Sequence, residues 1–524
     1  MKEFRLVILE TSDVHGSVYP INYGTNKKTD VGLGKIASLI RSERKRHDNV
    51  LLLDNGDVIQ GTPLTYHYAR FNYEKPNPMI LLMNDLKYEA GVFGNHEFNY
   101  GLDILLNAVK ESNFPWLSAN ILDEKTEEPY FGKPYFVREF ADGLRVGVLG
   151  LTTHYIPNWE KPENLEGIFF EDAAVSAKKW VNYLQSEEKV DFIIVSYHGG
   201  FERDLESGEP TEALTGENQG YQICQEVEGI DVLLTGHQHR LISGQQINGV
   251  LVVQPGNNGK ALGKVTVDFK KGEDGWRCVN KQSELLSIEG VEPELDILEK
   301  VRTYENETQI WLDQPIGKIE GNMVVNDPME TRTEDNALIE FINKVQMAAS
   351  GADISNTALF DNQSPGLPQN VTMRDIVANY IYPNTLKVIR ITGQDIKDAL
   401  EKSASYFQQS HHGDIKVNPA FSTPKPQHYN YDMWEGIEYI IDISKQPGER
   451  IVKLERHGKP LDMKAEYDVV MNNYRSGGGG NYLMYKDKPV IKDIPIDVSE
   501  LIANYILEKK VVKAQVNHNW KVIY

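Results

Sequence analysis

Cysteine is almost missing from this 524-residue chain, which has only Cys224 and Cys278. Two thiols cannot build a disulfide framework or a thiolate metal cage, so both read as ordinary buried thiols. Long apolar runs are missing as well. The longest, such as Val50–Leu53 and Phe192–Val195, are strand-length, far short of the roughly 18 residues that mark a membrane span. Basic charge is in deficit: 55 Lys and Arg stand against 76 Asp and Glu, a net charge of -21. Such a chain repels phosphate backbones and anionic bilayers, which argues against a nucleic-acid polymer or a membrane as partner. A pocket lined locally by basic groups or metal can still take a small anion. Met1-Lys2-Glu3 runs straight into the apolar Phe4–Leu9, too short for a signal h-region. A cytoplasmic location is therefore expected for the chain as written, and an extracytoplasmic one if it is a processed or truncated form.

The hydrophobic fraction of 40% is enough to bury a sizeable core, and the length allows about two to four domains. The first half alternates short apolar strands with amphipathic stretches. Strands are expected at Arg5–Leu9, Val50–Leu53, Ala90–Phe93, Arg145–Leu149, Asp191–Ser196 and Asp231–Leu234. Helical patterns such as Gly34–Arg46, Leu102–Ser112 and Ala173–Ser186 lie between them. Continuous Val/Ile/Leu runs separated by helices predict strands buried on both faces. After Leu234 the rhythm becomes that of hairpins, at Val250–Gln254 and Gly263–Phe269 with a turn at Lys271–Gly275. Glu292–Trp311 reads as a polar helical connector with little apolar face. A second, α+β unit follows, with a helix at Asn336–Ser350, a strand at Leu386–Thr392, a helix at Gln394–Phe407 and β-rich pieces at Gly436–Ile443 and Tyr467–Asn472. The expected division is 1–290, a connector at 291–325, and 326–524.

Five strand candidates run into residues of metal-binding type. They lead to Asp13-Val14-His15, Asp54-Asn55-Gly56-Asp57, Gly94-Asn95-His96-Glu97, Tyr197-His198-Gly199 and Gly236-His237-Gln238-His239. Sites in open α/β sheets form outside the carboxyl ends of the strands, so one crevice can collect all five. Asp13/His15 and His237/His239 are i, i+2 pairs, which point the same way in extended backbone. Glycines 56, 94, 199 and 236 are expected to let the chain turn sharply. Asp13, His15, Asp57, Asn95, His198, His237 and His239 offer seven N/O donors and no sulfur. If one carboxylate bridges, seven residues suffice for two ions with four bonds each. Imidazole with carboxylate suits Zn, Mn, Fe or Ni better than Mg or Ca. A lone histidine is usually a hydrogen-bonded structural residue. Here, however, five of 13 histidines sit after apolar strands beside glycine and acid or amide.

The ordered set resembles the calcineurin-like metallophosphoesterases. In the second half, Asn472-Asn473-Tyr474-Arg475-Ser476-Gly477-Gly478-Gly479-Gly480-Asn481-Tyr482 is similar to the substrate-domain signature of the 5′-nucleotidase group. Gly94-Asn95-His96-Glu97-Phe98-Asn99-Tyr100-Gly101 is nearest to the 2′,3′-cyclic-nucleotide 2′-phosphodiesterase/3′-nucleotidase branch. The resemblance implies a four-layer αββα catalytic domain followed by an α+β nucleotide-binding domain. It implies one ion on Asp13, His15 and His239, a second on Asn95, His198 and His237, and Asp57 bridging; the ions would be two divalent metals, Mn, Zn, Fe or a mixture. His96 would be the catalytic histidine. Where the 5′-nucleotidase branch pairs that histidine with an aspartate, this chain has the neutral Asn99. A nucleoside base would stack between aromatic rings, Tyr482 and either Tyr431 or Tyr429, at about 1–3 kcal/mol per base. Arg475 either meets the substrate or braces its loop, and Asn384 lies in a turn near the substrate. The implied reaction is metal-dependent hydrolysis of nucleotide phosphoesters, from 2′,3′-cyclic nucleotide to 3′-nucleotide to nucleoside. A 5′-nucleotidase, a sulfur-ester hydrolase on the same scaffold and a non-catalytic nucleotide-binding protein are the alternatives.

Overall fold

The computed structural model describes residues 2–212, 214–273, 275–382, 384–409, 415–423, 426–494 and 496–524. Pro383, His411 and His412 lie outside the described residues. The chain divides into two compact units, Met1–Asn22 with Asn26–Thr308, and Tyr23–Thr25 with Gln309–Tyr524.

Two six-stranded sheets build the first unit. One runs in the order Gly275–Ser287, Ala261–Gly272, Lys2–Thr11, Val50–Asp54, Ala90–Val92, Trp116–Leu117. Its last four strands are parallel, and the hairpin 261–287 joins antiparallel to Lys2–Thr11. The other runs Leu241–Ile247, Val250–Pro255, Val232–Thr235, Phe192–His198, Arg145–Thr152, Tyr135–Glu139, parallel except at both edges. The two hairpins expected after Leu234 thus belong to different sheets.

The pleat explains the layers. Leu6 and Ile8 share one apolar cluster with Ile194, Leu234 and Val253 of the other sheet. Val7 and Leu9 are equally buried but, by the two-residue period, face the opposite side. There helix Leu33–Arg46 packs against Ala261–Gly272. On the far side of the second sheet, Ala177, Val181 and Leu184 of helix Ala173–Ser186 pack with Leu149, Val195 and Leu233. The result is the four-layer helix–sheet–sheet–helix sandwich.

The stretch expected to be a polar connector carries more apolar face than its composition suggests. Helices Leu295–Lys300 and Arg302–Leu312 bury Ile297, Val301, Tyr304, Thr308 and Leu312. Their spacing of four, three, four and four is a narrow helical stripe between long charged side chains. The boundary between the units falls inside the second of these helices.

The second unit centres on a five-stranded sheet, Asp432–Glu435, Ile354–Ala358, Glu466–Asn472, Leu386–Thr392, Val490–Ile494. Helix Ala337–Ser350 packs on it, capped by the Asn336 side chain at the Ile339 N–H and stopped at the left-handed Gly351. Helix Gly393–Ala404 ends earlier than the expected Phe407, because Phe407–Gln409 pairs as a strand with Ile415–Val417.

Candidate functional site

Seven side chains reach one place from five strand ends. Asp13 and His15 follow Lys2–Thr11, Asp57 follows Val50–Asp54, and Asn95 follows Ala90–Val92, all in the first sheet. His198 closes Phe192–His198, and His237 and His239 follow Val232–Thr235, in the second sheet. The crevice therefore draws on the carboxyl ends of two stacked sheets, as the four-layer αββα resemblance implies.

The expected extended i, i+2 geometry is absent. Asp13, His15, Asp57, His237 and His239 all have left-handed backbone, with φ between 50° and 65°. Such conformations cost on the order of 1–3 kcal/mol each away from glycine, though Asp and His tolerate them better than most residues. Among the four glycines, only Gly56 turns through a positive φ, of 94°. At Gly94 the requirement is space: a Cβ there would stand 2.2 Å from Asp57 Oδ1.

Hydrogen bonds set which nitrogen of each ring faces inward. His198 Nδ1 lies 2.7 Å from the Asn55 carbonyl and His15 Nδ1 lies 3.2 Å from the Gln60 carbonyl. A carbonyl only accepts, so both Nδ1 atoms donate and both Nε2 atoms face the crevice. His237 donates from Nε2 to Glu217 Oε1 at 3.0 Å, turning its Nδ1 inward. The inward atoms crowd one another. His15 Nε2 and His239 Nε2 are 3.1 Å apart, and Asn95 Oδ1 is 2.9 Å from His237 Nδ1 and 3.3 Å from His198 Nε2. Asp57 Oδ2 lies 3.2 Å from His198 Nε2 and 3.9 Å from His15 Nε2. Lone pairs gathered at such distances repel unless positive charge sits among them.

The electrostatics agree. Burial pushes the Asp57 carboxyl up, but His198 and His96 outweigh it and hold it well below the usual carboxylate range. Burial likewise opposes ionisation of Asp13, and the hydrogen bond and charge of His239 reverse the direction. Burial pushes His198 down, yet Asp57 raises it to about 10. A proton on His198 thus occupies the place that a cation would take. Two triads, Asp13/His15/His239 and Asp57/His198/His237, each have ligand atoms within 4.8 Å of one another. Donor type, inward orientation and charge all fit two divalent ions. Asp57 Oδ2 faces both triads, while its Oδ1 accepts from the His96 backbone N–H at 2.8 Å.

Other residues around the centre were not singled out by sequence. Glu97, fully buried, accepts from the backbone N–H of Gly94, Asp57 and Val58 at 2.6–2.7 Å and ties two strand-end turns together. Its position in Gly94-Asn95-His96-Glu97 was the available signal. The Trp159 ring stacks on His237 at 5.3 Å. His96 Nδ1 lies 2.6 Å from Asn99 Oδ1, and Asn99 Nδ2 donates to Glu160 Oε2 at 2.6 Å. A carboxylate therefore does stand behind the histidine, one amide removed.

In the second unit two of the three aromatic candidates, Tyr482 and Tyr431, are buried. Tyr482 is 0% exposed, and its hydroxyl bonds Ser403 Oγ and the Asn430 carbonyl. The Arg475 guanidinium stacks on its ring at 4.0 Å, and Tyr485 lies parallel at 5.8 Å. The whole ring is enclosed by protein. Tyr431 is equally buried, against Tyr406 and Phe407. Arg475 braces its loop: it pairs with Asp432 at 2.8 Å and donates to the carbonyls of Tyr429 and Gly479. Tyr429 is half-buried, with its ring edge-to-face to Tyr382 at 5.9 Å and to Tyr474 at 6.3 Å. Asn384, also half-buried, accepts from the Val498 N–H at 2.9 Å through its backbone carbonyl.

A stacked-sheet sandwich with carboxylate and imidazole triads side by side at its strand ends defines a protein with a two-metal hydrolytic centre. Residues 6–241 match the calcineurin-like phosphoesterase family and residues 315–487 the 5′-nucleotidase C-terminal domain. A Salmonella typhimurium 2′,3′-cyclic-nucleotide 2′-phosphodiesterase/3′-nucleotidase is 30% identical over 90% of this chain and 81% of its own length. A trifunctional nucleotide phosphoesterase protein of Bacillus subtilis is 28% identical over 99% of this chain, which spans 39% of that relative's length. A Staphylococcus aureus protein assigned as a 5′-nucleotidase, crystallised with alpha-ketoglutarate, is 34% identical and superposes with a TM-score of 0.89, covering 99% of this chain and 100% of that one. The chain belongs to the calcineurin-like phosphoesterases that carry a 5′-nucleotidase C-terminal domain.

Proposed function

We propose that this chain is a two-metal nucleotide phosphoesterase that opens 2′,3′-cyclic nucleotides to 3′-nucleotides and then releases phosphate from the 3′-nucleotide. The observation that carries it is Asp57 Oδ2, placed within reach of both ligand triads beside His96. Asp13, His15 and His239 would hold one ion and Asn95, His198 and His237 the other, with the Asp57 carboxylate within reach of both groups; Mn, Zn and Fe suit this donor set. The ions, when bound, neutralise the phosphate oxygens and lower the pKa of the attacking water. Water adds to phosphorus as the bond to the ribose oxygen breaks. His96, held through Nδ1, presents Nε2 to that oxygen and gives it a proton. In the second unit the half-buried Tyr429, with Tyr382 and Tyr474, is the aromatic cluster suited to a base, because Tyr482 and Tyr431 are fully buried.

The 5′-nucleotidase reading stays in view because of the Staphylococcus aureus relative. A phosphate-release panel decides between them. Enzyme loaded with Mn²⁺ or Zn²⁺ is given 2′,3′-cyclic AMP, 3′-AMP and 5′-AMP. Higher kcat/KM on the first two is expected, and preference for 5′-AMP overturns the assignment.

A further inference from the structure

Glu160 is buried, 8% exposed, just after the turn Ile156–Asn158, and no role has been assigned to it. Its two oxygens do different things. Oε1 accepts from the Lys161 N–H at 2.8 Å and from Asn164 Nδ2 at 2.9 Å, and Oε2 accepts from Asn99 Nδ2 at 2.6 Å. We propose that Glu160 is a positioning residue that fixes the sense of the Asn99 amide and, through it, keeps a proton on His96 Nδ1. This rests on the reading of His96 as the proton donor to the leaving oxygen.

Donors and acceptors decide the sense of this relay. An amide side chain offers a carbonyl at one end and an NH₂ at the other, and either end could face His96. A carboxylate only accepts. With Glu160 behind it, Asn99 turns its NH₂ outward and its carbonyl toward the imidazole, as the 2.6 Å Nδ1–Oδ1 contact requires. His96 Nδ1 must then be the donor. A histidine with its proton fixed on Nδ1 has Nε2 left to face the leaving oxygen. In the opposite sense the amide NH₂ would meet Nδ1, which must then accept, and the neutral ring would carry its proton on Nε2 in place of Nδ1.

Glu160→Gln inverts the relay. Two donors converge on Oε1 and one on Oε2, so the glutamine carbonyl stays with Lys161 and Asn164 and its NH₂ faces Asn99. Asn99 must then flip to accept, which presents its own NH₂ to His96. Asn99→Asp sets two carboxylates within 2.6 Å of each other. Both changes together restore a consistent chain: the introduced glutamine donates to the introduced aspartate, and that carboxylate accepts from His96.

The test uses the full-length Zn²⁺-loaded chain, wild type and the variants E160Q, N99D and N99D/E160Q, with metal content measured for each. Expected for E160Q is a kcat on 3′-AMP lowered about 10- to 100-fold with KM and zinc content retained. The loss should be smaller on p-nitrophenyl phosphate, whose phenolate leaves with less need of a proton. N99D should also be impaired, and the double variant should recover most of the wild-type kcat. Independently of turnover, ¹⁵N spectra of histidine-labelled protein, with His96 assigned by loss in H96N, should show Nδ1 protonated in wild type and unprotonated in E160Q. Unchanged His96 nitrogen shifts in E160Q, or a double variant no better than either single one, overturns the proposal. Failure of the function is separate: it appears as a wild-type enzyme that releases no phosphate from 3′-AMP while the nitrogen shifts still change.

Discussion

Asp57 is the residue on which the centre depends most. Its Oδ2 faces both triads and its Oδ1 is held by the His96 N–H, so an amide at this position would lose the charge while keeping the shape. Asp57→Asn is expected to lower occupancy of both ions and nearly abolish turnover; full occupancy by elemental analysis with normal activity would rule out bridging. His96 differs, since its ring bonds Asn99 and stands 5.2 Å from the His15 ring without joining either triad. His96→Asn should cut the chemical rate about 10²- to 10⁴-fold with both metals retained, and metal loss in that variant would make His96 a ligand instead. His198 yields a pH prediction. Its conjugate acid is raised to about 10 because Asp57 outweighs burial, so at pH 7–8 the metal-free site holds a proton on Nε2. A metal must displace that proton. Calorimetric titrations with Zn²⁺ in buffers of different ionisation enthalpy should therefore show proton release, and affinity should fall as the pH is lowered. A buffer-independent binding heat would contradict this.

At the scale of elements, the centre is made by the turns that follow the strands. The strands bring the chain to the crevice, but left-handed residues and tight approaches aim the side chains. Gly94 shows the constraint: a Cβ would stand 2.2 Å from Asp57 Oδ1, 2.7 Å from the Asp57 nitrogen and 2.7 Å from His198 Cε1. Backbone and ligands cannot all move aside. Gly94→Ala should keep the far-ultraviolet circular dichroism of the fold and lose metal affinity at least tenfold, checked by competition with a chromophoric chelator. Unchanged affinity would mean that the turn between Val92 and Asn95 is free to shift. The segment Ile156–Glu160 serves two site residues at once, stacking Trp159 on His237 and holding Asn99 through Glu160.

At the scale of the molecule, the two units have separate cores. One apolar cluster lies between the sheets of the first unit, and another fills the second around Ile354, Val388 and Val470. All seven candidate ligands belong to the first unit. Ions that bind only the folded first unit should stabilise it by about 2.7 kcal/mol at 100 times Kd. In scanning calorimetry, adding Zn²⁺ or Mn²⁺ should raise the transition of that unit and leave a second one in place. A shift confined to the other transition would place the tight metal site elsewhere.

The sequence alone determined the alternation of strands and helices, the order of the strand-end motifs and the choice of seven candidate donors. Each of those depends on residue type and short-range spacing: apolar period within a strand, and Asp, Asn or His a few positions beyond its end. Tertiary structure decided the rest. Which strand joins which of the two sheets depends on pairing between distant segments. The polar connector buries a stripe that its many charges conceal. Tyr482 beside the glycine run looked like a base platform, and only packing shows it fully buried against Arg475 and Tyr485. Glu160 carries no local motif. Its meaning comes from contact with Asn99, 61 residues earlier in the chain, and hydrogen bonds across such separations exist only once the backbone has folded.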